Sequence, residues 1–341
     1  MRKVTSLDVS RLANVSQSTV SFVLNNRKDI CISPETRSRV LHAAKELKYG
    51  PFADDPNAVL RTSIAVFFPT FENPYYPKVL SAISEETRKR NINIILCCTH
   101  KSEKAEIDLL NNIDYLNVDS IIFTYTPLSK ECSADIARRK KVFIISEIDF
   151  NINANIVTLN SKKAGQLVAE HLQSLGHKNI AYISTPMNVI SICRKNRLEG
   201  IREYFMQNDI ENNLIICAPD DCSTHSDPEV GYYQTLKLLE TQKNITAIVG
   251  VNDYLTLGIV SALRAKNIRI PQDISVASFD NSLEHLMLNP KLTSVDHLIA
   301  QRVHYTIDLI LSEIPFSQNI YITYDPILIT RDSTSVCHGV K

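Results

Sequence analysis

The chain has 341 residues, of which 44% are hydrophobic, and this is enough material for two or three domains with buried cores. Its 37 lysines and arginines balance its 37 aspartates and glutamates, yet residues 1–49 hold nine of the basic residues and only four of the acidic ones. This segment therefore carries +5 and the rest of the chain −5, which excludes a uniformly basic or acidic protein and favours nucleic-acid contact by the first segment alone.

The sequence carries no export or membrane signal. The start, MRKVTSLDVSRL, lacks the apolar segment of a signal peptide, and no run approaches the roughly 18 apolar residues of a spanning helix. The eight cysteines show no CxxC spacing, so we expect reduced thiols in a cytoplasmic protein, with no metal and no other cofactor. Cys97 and Cys98, which with His100 are conceivable metal ligands, are interpreted as buried strand residues at the end of the run IILCC, because zinc ligand pairs are usually spaced by two to four residues.

The stretch DVSRLANVSQSTVSFVLNN, residues 8–26, has two apolar helical periods separated by a break. Asn14 tolerates the left-handed turn that would join them, and Ser16 is suited to cap the second helix. Thr5, three residues before Asp8, resembles a capping pair for the first helix. Two short helices joined by a tight turn predict a helix-turn-helix.

A third helix is expected to follow. Ser33-Pro34-Glu35 supplies a cap, a proline at the first helical position and an acidic residue in the first turn, and apolar residues continue at helical spacing to about Tyr49. We therefore predict a small all-α DNA-binding domain over residues 1–49. The alternative is a helix-turn-helix that serves only as a packing element.

This head resembles the LacI family of bacterial transcription regulators. The similarity covers VTSLDVSRLANVSQSTVSFVLNN and ISPETRSRVLHAAKELKYGP, about fifty residues with the family's spacing. It implies that the second helix enters the major groove of DNA and reads bases through Gln17, Ser18 and Phe22. Gln pairs with adenine, Ser bonds several base edges, and Phe contacts only a thymine methyl or another apolar surface. The implied phosphate contacts, which fix register rather than sequence, are Thr5, Ser16, Thr19, Ser21 and Asn25.

Two features depart from the family pattern. Most members carry arginine where this chain has Phe22, so the usual family operator is not expected. Residues 50–62 resemble the family hinge, which forms a helix on the operator and wedges a leucine into the minor groove; here Leu60 is the candidate wedge. Asp54 and Asp55 would be repelled by phosphates, and Asp55 precedes a proline. A hinge helix with Leu60 inserted and a flexible tether both stay open.

From residue 63 the chain alternates strand-like and helix-like segments. Apolar runs rich in β-branched residues are SIAVFFP, NINIILCC, SIIFTY, KVFIIS, NIAYIS, LIIC, AIVGV and SVASF. Helical segments separate most of them, for example 76–91, 162–175, 194–208, 230–242 and 254–267. This alternation predicts an α/β body of βαβ units, and the number of strands predicts two doubly wound parallel-sheet lobes with a ligand cleft at the carboxyl ends of the strands.

The body also resembles the LacI family, whose body has a periplasmic-binding-protein type I fold. Matching segments occur in order: ENPYYPKVL, AEHLQSLGHKNIAYIS, RKNRLEGI, TAIVGVNDYLTLGIVSALRAKNIRIPQDISVASFDN, LTSV and LITRDST. The resemblance implies one lobe from residues 63–160 with 290–325 and another from 161–289 with 326–341, with crossings near residues 160, 290 and 325. It also implies a homodimer formed by the bodies.

Several matched positions follow strands, where ligands in a cleft are contacted. Arg197 of the motif R-L-x-G is able to fork two ligand oxygens. In the family the positions of Asn252 and Asp280 bond hydroxyls or ring heteroatoms, and Tyr75 and Tyr76 match an aromatic pair that stacks on a sugar or purine. Weaker candidates, which also follow strands, are Phe71, Tyr125, Ser146 and Glu147.

Structural roles stay open for some of these residues. Arg197 has the alternative of a surface arginine that caps the preceding loop, Asp280 that of a turn cap, and Tyr75 that of packing under its helix. His177, in LGHKN, is interpreted as structural, closing a helix.

The combined pattern predicts a transcriptional regulator, by family habit a repressor, that binds a pseudo-palindromic DNA operator as a dimer. A small-molecule effector in the cleft would control it through rotation of the lobes. A sugar is favoured because the candidate residues suit a neutral polyol and no second basic residue for a phosphate is evident. Control by a protein partner is the alternative. The sequence lacks G-x-S-x-G, Walker, H-E-x-x-H and G-x-G-x-x-G motifs, which disfavours an enzyme, and the DNA-binding head disfavours an exported solute-binding protein.

Overall fold

The computed structural model describes residues 4–25, 32–50, 62–187, 191–209, 214–221, 225–282, 288–312, 315 and 318–337. These residues form a three-helix head followed by two α/β lobes. The helices are α1 (Ser6–Ala13), α2 (Gln17–Leu24), α3 (Pro34–Glu46), α4 (Tyr75–Lys89), α5 (Glu103–Asn111), α6 (Lys130–Ala137), α7 (Ser161–Ser174), α8 (Ile192–Gln207), α9 (Asp227–Thr241), α10 (Asp253–Ala265) and α11 (Ile299–Leu311). The strands are β1 (Ser63–Phe68), β2 (Asn93–Cys98), β3 (Ser120–Phe123), β4 (Lys141–Ile144), β5 (Asn155–Leu159), β6 (Ile180–Ile183), β7 (Leu214–Cys217), β8 (Ala247–Gly250), β9 (Ser275–Phe279), β10 (Thr293–Asp296), β11 (Tyr321–Tyr324) and β12 (Ile327–Ile329).

The predicted helix-turn-helix is confirmed. Asn14 adopts the left-handed conformation (φ 50°) and turns the chain out of α1. Ser16 caps α2, because its Oγ accepts a hydrogen bond from the Thr19 N–H at 3.1 Å. Thr5 and Asp8 form the expected capping box at the start of α1. Local side-chain hydrogen bonds therefore set both helix starts and the turn between them.

The three head helices share one small apolar core, in which Val9, Val20 and Val40 are fully buried. The third helix ends at Glu46, slightly earlier than expected, because Lys48 adopts a left-handed conformation (φ 50°) that a helix cannot continue. Positions 51–61, which include the expected hinge and Leu60, lie outside the described residues.

The first lobe is a parallel sheet of strand order β11-β5-β4-β3-β1-β2. Its central strands are buried on both faces, with α4 and α11 against one face and α5 and α6 against the other. The second lobe has the order β12-β10-β9-β8-β6-β7 and is parallel except for β12, which pairs antiparallel with β10. The doubly wound lobes predicted from the sequence are confirmed, and all eight predicted strands and five example helices are present.

The chain changes sheets three times, after β5, after β10 and between β11 and β12. The expected crossing near residue 290 is wrong, because β10 pairs with β9 in the second sheet and the chain leaves that lobe only after Asp296. The segment LTSVD is a short strand with polar residues, and its pairing with Ala277–Phe279 is a tertiary contact that local apolar patterning does not encode. None of the described helices is long and apolar enough to cross a membrane.

Helices α7 and α8 of the second lobe lie in backbone contact through two glycines. A Cβ at Gly200 would lie 1.9 Å from the Lys162 carbonyl oxygen, and one at Gly165 would lie 2.0 Å from the Arg197 carbonyl oxygen. Any larger residue therefore requires the helices to separate. This contact fixes the position of α8 relative to α7, and with it the position of the α8 side chains at the carboxyl end of the second sheet.

We expect Gly200→Ala to lower the free energy of unfolding by about 2–3 kcal/mol, since overpacking outweighs the usual helical preference for alanine. Urea unfolding followed by far-UV circular dichroism measures the loss. The neighbouring exposed residue Glu199 provides the control, and Glu199→Ala should stay within about 0.5 kcal/mol of the parent. If both variants are equally stable, the helices are not packed this closely.

Candidate functional site

A buried arginine lies at the carboxyl end of the second sheet. Arg197, in the second turn of α8, donates from Nη1 to the Val251 carbonyl at 2.7 Å, and its Nη2 lies 3.4 Å from Asp280 Oδ1. The guanidinium carbon lies 4.9 Å from the centre of the Phe279 ring. Because only 8% of the side chain is exposed, the alternative of a surface arginine is wrong.

Asp280 follows β9 directly and is buried with φ 101°. Burial raises the pKa of Asp280 to about 7, although the Arg197 guanidinium opposes the rise, and the nearby Asp253 carboxylate adds to it. The turn after β9 is held by Asp253, which accepts from Ser282 N at 2.7 Å and from Ser294 Oγ at 2.8 Å. Asp280 is therefore a carboxyl group balanced between its two protonation states at neutral pH.

His297 is the site residue that sequence reasoning missed. It follows β10 and is buried, with Nε2 at 3.3 Å from Arg197 Nη2 and Nδ1 at 3.5 Å from Asp280 Oδ1. Burial and the Arg197 charge hold the pKa of His297 well below its usual range, so the ring is neutral. Because a guanidinium only donates, Nε2 is the acceptor and Nδ1 carries the hydrogen toward Asp280. His297 directly follows β10, and such a position would have marked it as a site candidate. It was missed because the sequence analysis did not predict β10 as a strand.

A second polar cluster adjoins the first. Asn252 caps α10 by accepting from Leu255 N at 2.7 Å, and its Nδ2 donates to Asp227 Oδ2 at 2.9 Å. The same carboxylate oxygen accepts from Arg194 Nη2 at 3.3 Å. Burial acts to raise the pKa of Asp227, but Arg194 and Asn252 hold it below its usual range. The predicted Asn252 is thus hydrogen-bonded to the ion pair of Arg194 and Asp227, which sequence reasoning did not include.

The two predicted tyrosines face these clusters from the first lobe. Tyr75 and Tyr76 begin α4, with ring centroids 5.2 Å apart and planes at 83°. The Tyr75 ring meets His297 edge-on at 5.8 Å. Burial raises the pKa of both hydroxyls and the Asp280 carboxylate adds to the rise, whereas Arg302 opposes it at Tyr75 and Arg194 opposes it at Tyr76. Tyr75 also packs on the first-lobe core, so its packing and cleft-facing roles coexist.

Two of the weaker candidates bridge the lobes. Glu147 follows β4 of the first lobe and accepts from Asn196 Nδ2 of α8 and from the Ser161 N–H of α7, both at 2.8 Å. Ser146 Oγ lies 3.4 Å from Cys193 Sγ of α8. The carboxyl edges of the two sheets therefore face each other, and polar side chains from both lobes meet between them.

The other two weaker candidates are less suited to a ligand. The Tyr125 hydroxyl is already engaged with the buried Glu106 carboxylate. Phe71 is 59% exposed and packs edge-on against Phe68 at 4.6 Å. Tyr125 therefore helps to hold Glu106, which also accepts from the N–H groups of Leu128 and Ser129. Phe71 lies exposed in the segment that follows β1.

The remaining histidine and cysteine candidates have structural surroundings. His177 is buried and its Nε2 lies 3.0 Å from the Ser335 carbonyl, which agrees with a structural role. Cys97 is buried in the first-lobe core, and Cys98 Sγ lies 3.7 Å from His100 Nδ1. Within the described part of the chain, no group of three or more such side chains is arranged to hold a metal ion.

The head presents its base-reading candidates on one surface of α2. Gln17 and Ser18 are exposed, and Phe22 is half-buried one turn later. Gln17 Nε2 donates to Ser6 Oγ of α1 at 2.6 Å, which orients the amide. The predicted base-reading positions therefore lie together on the second helix.

The predicted phosphate contacts surround the same helix. Thr5 and Ser16 are helix caps, and Ser16 Oγ lies 2.8 Å from Thr19 Oγ1. Asn25 Nδ2 donates to Ser21 Oγ at 3.2 Å. Ser16 and Thr19 therefore lie at the start of α2 and Ser21 and Asn25 at its end, while Thr5 lies at the start of α1.

Comparison with known proteins agrees with this architecture. Residues 5–51 match the bacterial regulatory proteins of the lacI family, and residues 169–334 match a periplasmic binding protein-like domain. The HTH-type transcriptional regulator DegA of Bacillus subtilis (strain 168) is 31% identical over 301 residues, which are 86% of each chain.

Solved structures share the whole architecture. A LacI family transcriptional regulator from Enterococcus faecium with bound ribose has a TM-score of 0.70 at 23% identity, covering 81% of this chain and 99% of its own. The lac repressor dimer bound to operator and the anti-inducer ONPF has a TM-score of 0.68 at 23% identity, covering 98% of this chain and 100% of its own. With its helix-turn-helix head, its two lobes and these relatives, the chain belongs to the LacI family of bacterial regulatory proteins and is a DNA-binding regulator of transcription.

Proposed function

We propose that the chain is a dimeric repressor whose binding to a pseudo-palindromic operator is controlled by a small neutral polyhydroxylated effector, a sugar, in the cleft between the lobes. One observation carries the effector class: both cleft arginines are already paired with carboxylates, Arg197 with Asp280 and Arg194 with Asp227. Two further cations nearby, Lys78 and Arg302, donate to backbone carbonyl oxygens, so a phosphate would have to displace existing hydrogen bonds or ion pairs to gain a cation. A hydroxyl, in contrast, accepts from a guanidinium and donates to a carboxylate at once.

The aromatic side of the cleft supports the same class. The perpendicular rings of Tyr75 and Tyr76 offer an apolar surface beside the buried charges. A sugar carries hydroxyls on its edges and C–H groups on its faces, so it suits a site with charged groups on one wall and aromatic rings on the other. The ribose bound to the Enterococcus faecium regulator gives independent support for a carbohydrate.

Control of DNA binding would follow from the two-lobe construction. Tyr75 and Tyr76 belong to the first lobe, and Arg197, Asn252 and Asp280 belong to the second. A ligand that contacts both lobes binds one lobe arrangement better than another and shifts its population. In a twofold dimer the two heads must lie about one DNA turn apart, so a change in lobe arrangement alters their spacing and the affinity for the operator.

A thermal-shift screen tests this proposal with D-ribose, D-glucose, cellobiose, glucose 6-phosphate and hypoxanthine. A neutral sugar is expected to raise the melting temperature by several degrees, because binding at 100 times Kd adds about 2.7 kcal/mol to the stability of the folded state. The shift should disappear in Asp280→Asn, which keeps the side-chain volume but removes the charged acceptor.

The exposed Arg269 offers a matched control, since it pairs with Asp273 far from the cleft clusters. Arg269→Ala should respond to the same sugar as the parent does. A shift only with glucose 6-phosphate or hypoxanthine would contradict a neutral-sugar effector. No shift in any class, from a folded chain that still binds DNA, would favour control by a protein partner.

A further inference from the structure

The recognition helix differs in charge from the head that carries it. Helix α2, QSTVSFVL, contains no charged residue, although residues 1–49 carry a net +5. Guanine is read in the major groove mainly by arginine or lysine, which donate two hydrogen bonds to its O6 and N7. Helix α2 itself therefore offers no cation to a guanine, while the net charge of the head favours the phosphate backbone.

Phe22 lies outside the apolar core of the head. The buried core members are Val9, Ala13, Val20, Val23, Val40, Ala43 and Ala44. Among the described residues, Phe22 is half-buried and is neither a member of this core nor one of the partly buried residues packed against it. It lies four residues after the exposed Ser18, so both share one helical face. A phenyl ring on that face has apolar area left to bury, and an apolar group on the DNA would cover it.

Gln17 is oriented by α1 in a way that suits adenine rather than guanine. Its Nε2 donates one hydrogen to Ser6 Oγ at 2.6 Å, so α1 orients the amide of α2. Within the described part of the head, the second Nε2 hydrogen and the Oε1 acceptor make no other hydrogen bond. This is one donor and one acceptor side by side, which is the pattern that pairs with N7 and N6 of adenine.

We infer that the head selects A·T pairs in each half-site, with Phe22 packed against a thymine C5-methyl group and Gln17 paired with an adenine. The inference deepens the operator binding proposed above and rests on it. A guanine or cytosine opposite Phe22 would bury base-edge hydrogen-bonding groups against a ring that has no polar atom. A 5-methylcytosine restores the methyl group, so it should be tolerated better than cytosine.

The test removes one methyl group at a time. The full chain selects double-stranded DNA from a random pool, and each thymine of the selected half-site is then replaced by uracil, which pairs identically but lacks the C5-methyl. At one thymine the affinity should fall about fourfold (about 0.8 kcal/mol at about 1.4 kcal/mol per tenfold), and about fifteenfold when both half-sites are changed. Uracil at flanking positions outside the half-sites serves as the control.

Three variants assign this effect to the ring. Phe22→Ala should bind the thymine and uracil operators equally, whereas Phe22→Leu should keep part of the difference. Phe22→Arg should move the preference at that position from thymine to guanine. Because Phe22 lies outside the core, circular dichroism spectra of all three variants should match that of the parent.

Each other outcome counts against the inference. A selected operator that loses no affinity with uracil at any position would overturn the methyl contact while leaving operator binding intact. A G·C pair selected at the position where Phe22→Ala changes specificity would do the same. A pool that yields no enriched sequence would contradict the proposed operator binding, and the base assignment with it.

Discussion

Replacing Arg197 by alanine is expected to lower the free energy of unfolding by about 3–5 kcal/mol at pH 8, the range found when one partner of a buried ion pair is removed. The variant leaves the buried Asp280 carboxylate without its counter-charge and the Val251 carbonyl without its 2.7 Å donor. Urea unfolding followed by far-UV circular dichroism measures the loss. The chain has no tryptophan, so tyrosine fluorescence provides the second probe.

The loss should be smaller at pH 6 than at pH 8. With its pKa near 7, Asp280 takes up a proton at the lower pH, and the neutral acid needs Arg197 less. Arg269→Ala is the matched control, because its exposed pair with Asp273 should contribute less than about 1 kcal/mol. A loss below about 1 kcal/mol for Arg197→Ala at both pH values would show that Arg197 is not the counter-ion of Asp280.

Asp280→Asn should gain about 4 kcal/mol of stability relative to the parent as the pH rises from 4 to 8. The pKa of Asp280 is raised from 3.8 to about 7 by burial. Between these values the folded chain holds a proton that the unfolded chain releases, so the stability of the parent falls as the pH rises. The slope is about 1.4 kcal/mol per pH unit over about three units, and the asparagine variant does not titrate.

Unfolding curves at pH 4, 6 and 8 check this prediction. Asp273→Asn is the control, because it removes a carboxylate from an exposed pair and should change stability by less than about 1 kcal/mol at each pH. If the stability difference between Asp280→Asn and the parent is the same from pH 4 to pH 8, Asp280 does not titrate in that window.

Lys78, whose Nζ donates to the Asn281 carbonyl at 2.6 Å, also faces this carboxyl group and favours its ionised form.

The Asp280→Asn variant separates stability from function at one residue. Asp280→Asn is expected to gain stability at neutral pH and to lose the response to a sugar. Loss of function with a gain in stability is common where a binding site contains a buried group that lowers stability but is needed to bind the ligand. In the proposed repressor, hydroxyl groups of the effector would supply hydrogen bonds that the buried carboxylate lacks.

The sequence by itself determined the elements whose signals are local. The caps Thr5 and Ser16 and the turn at Asn14 define the helix-turn-helix, because each acts within a few residues of the chain. The buried parallel strands read as continuous apolar runs, so all eight predicted strands are present. Asn252 and Asp280 were predicted because they lie in matched motifs just after β8 and β9, whereas Arg197 was predicted from its motif R-L-x-G, which lies within α8.

Only the tertiary structure decided how these elements meet. Strands β5, β10, β11 and β12 are short or contain polar residues, and long-range pairing rather than local pattern makes them strands. The place of β10 moved the crossing from about residue 290 to beyond Asp296 and brought His297 between Arg197 and Asp280, which are 83 residues apart. Burial, which raises the pKa of Asp280, likewise depends on side chains distant in sequence. Helix caps and apolar periodicity depend on residues that are close in sequence. The pairing of strands and the desolvation of buried side chains arise only when distant segments pack together.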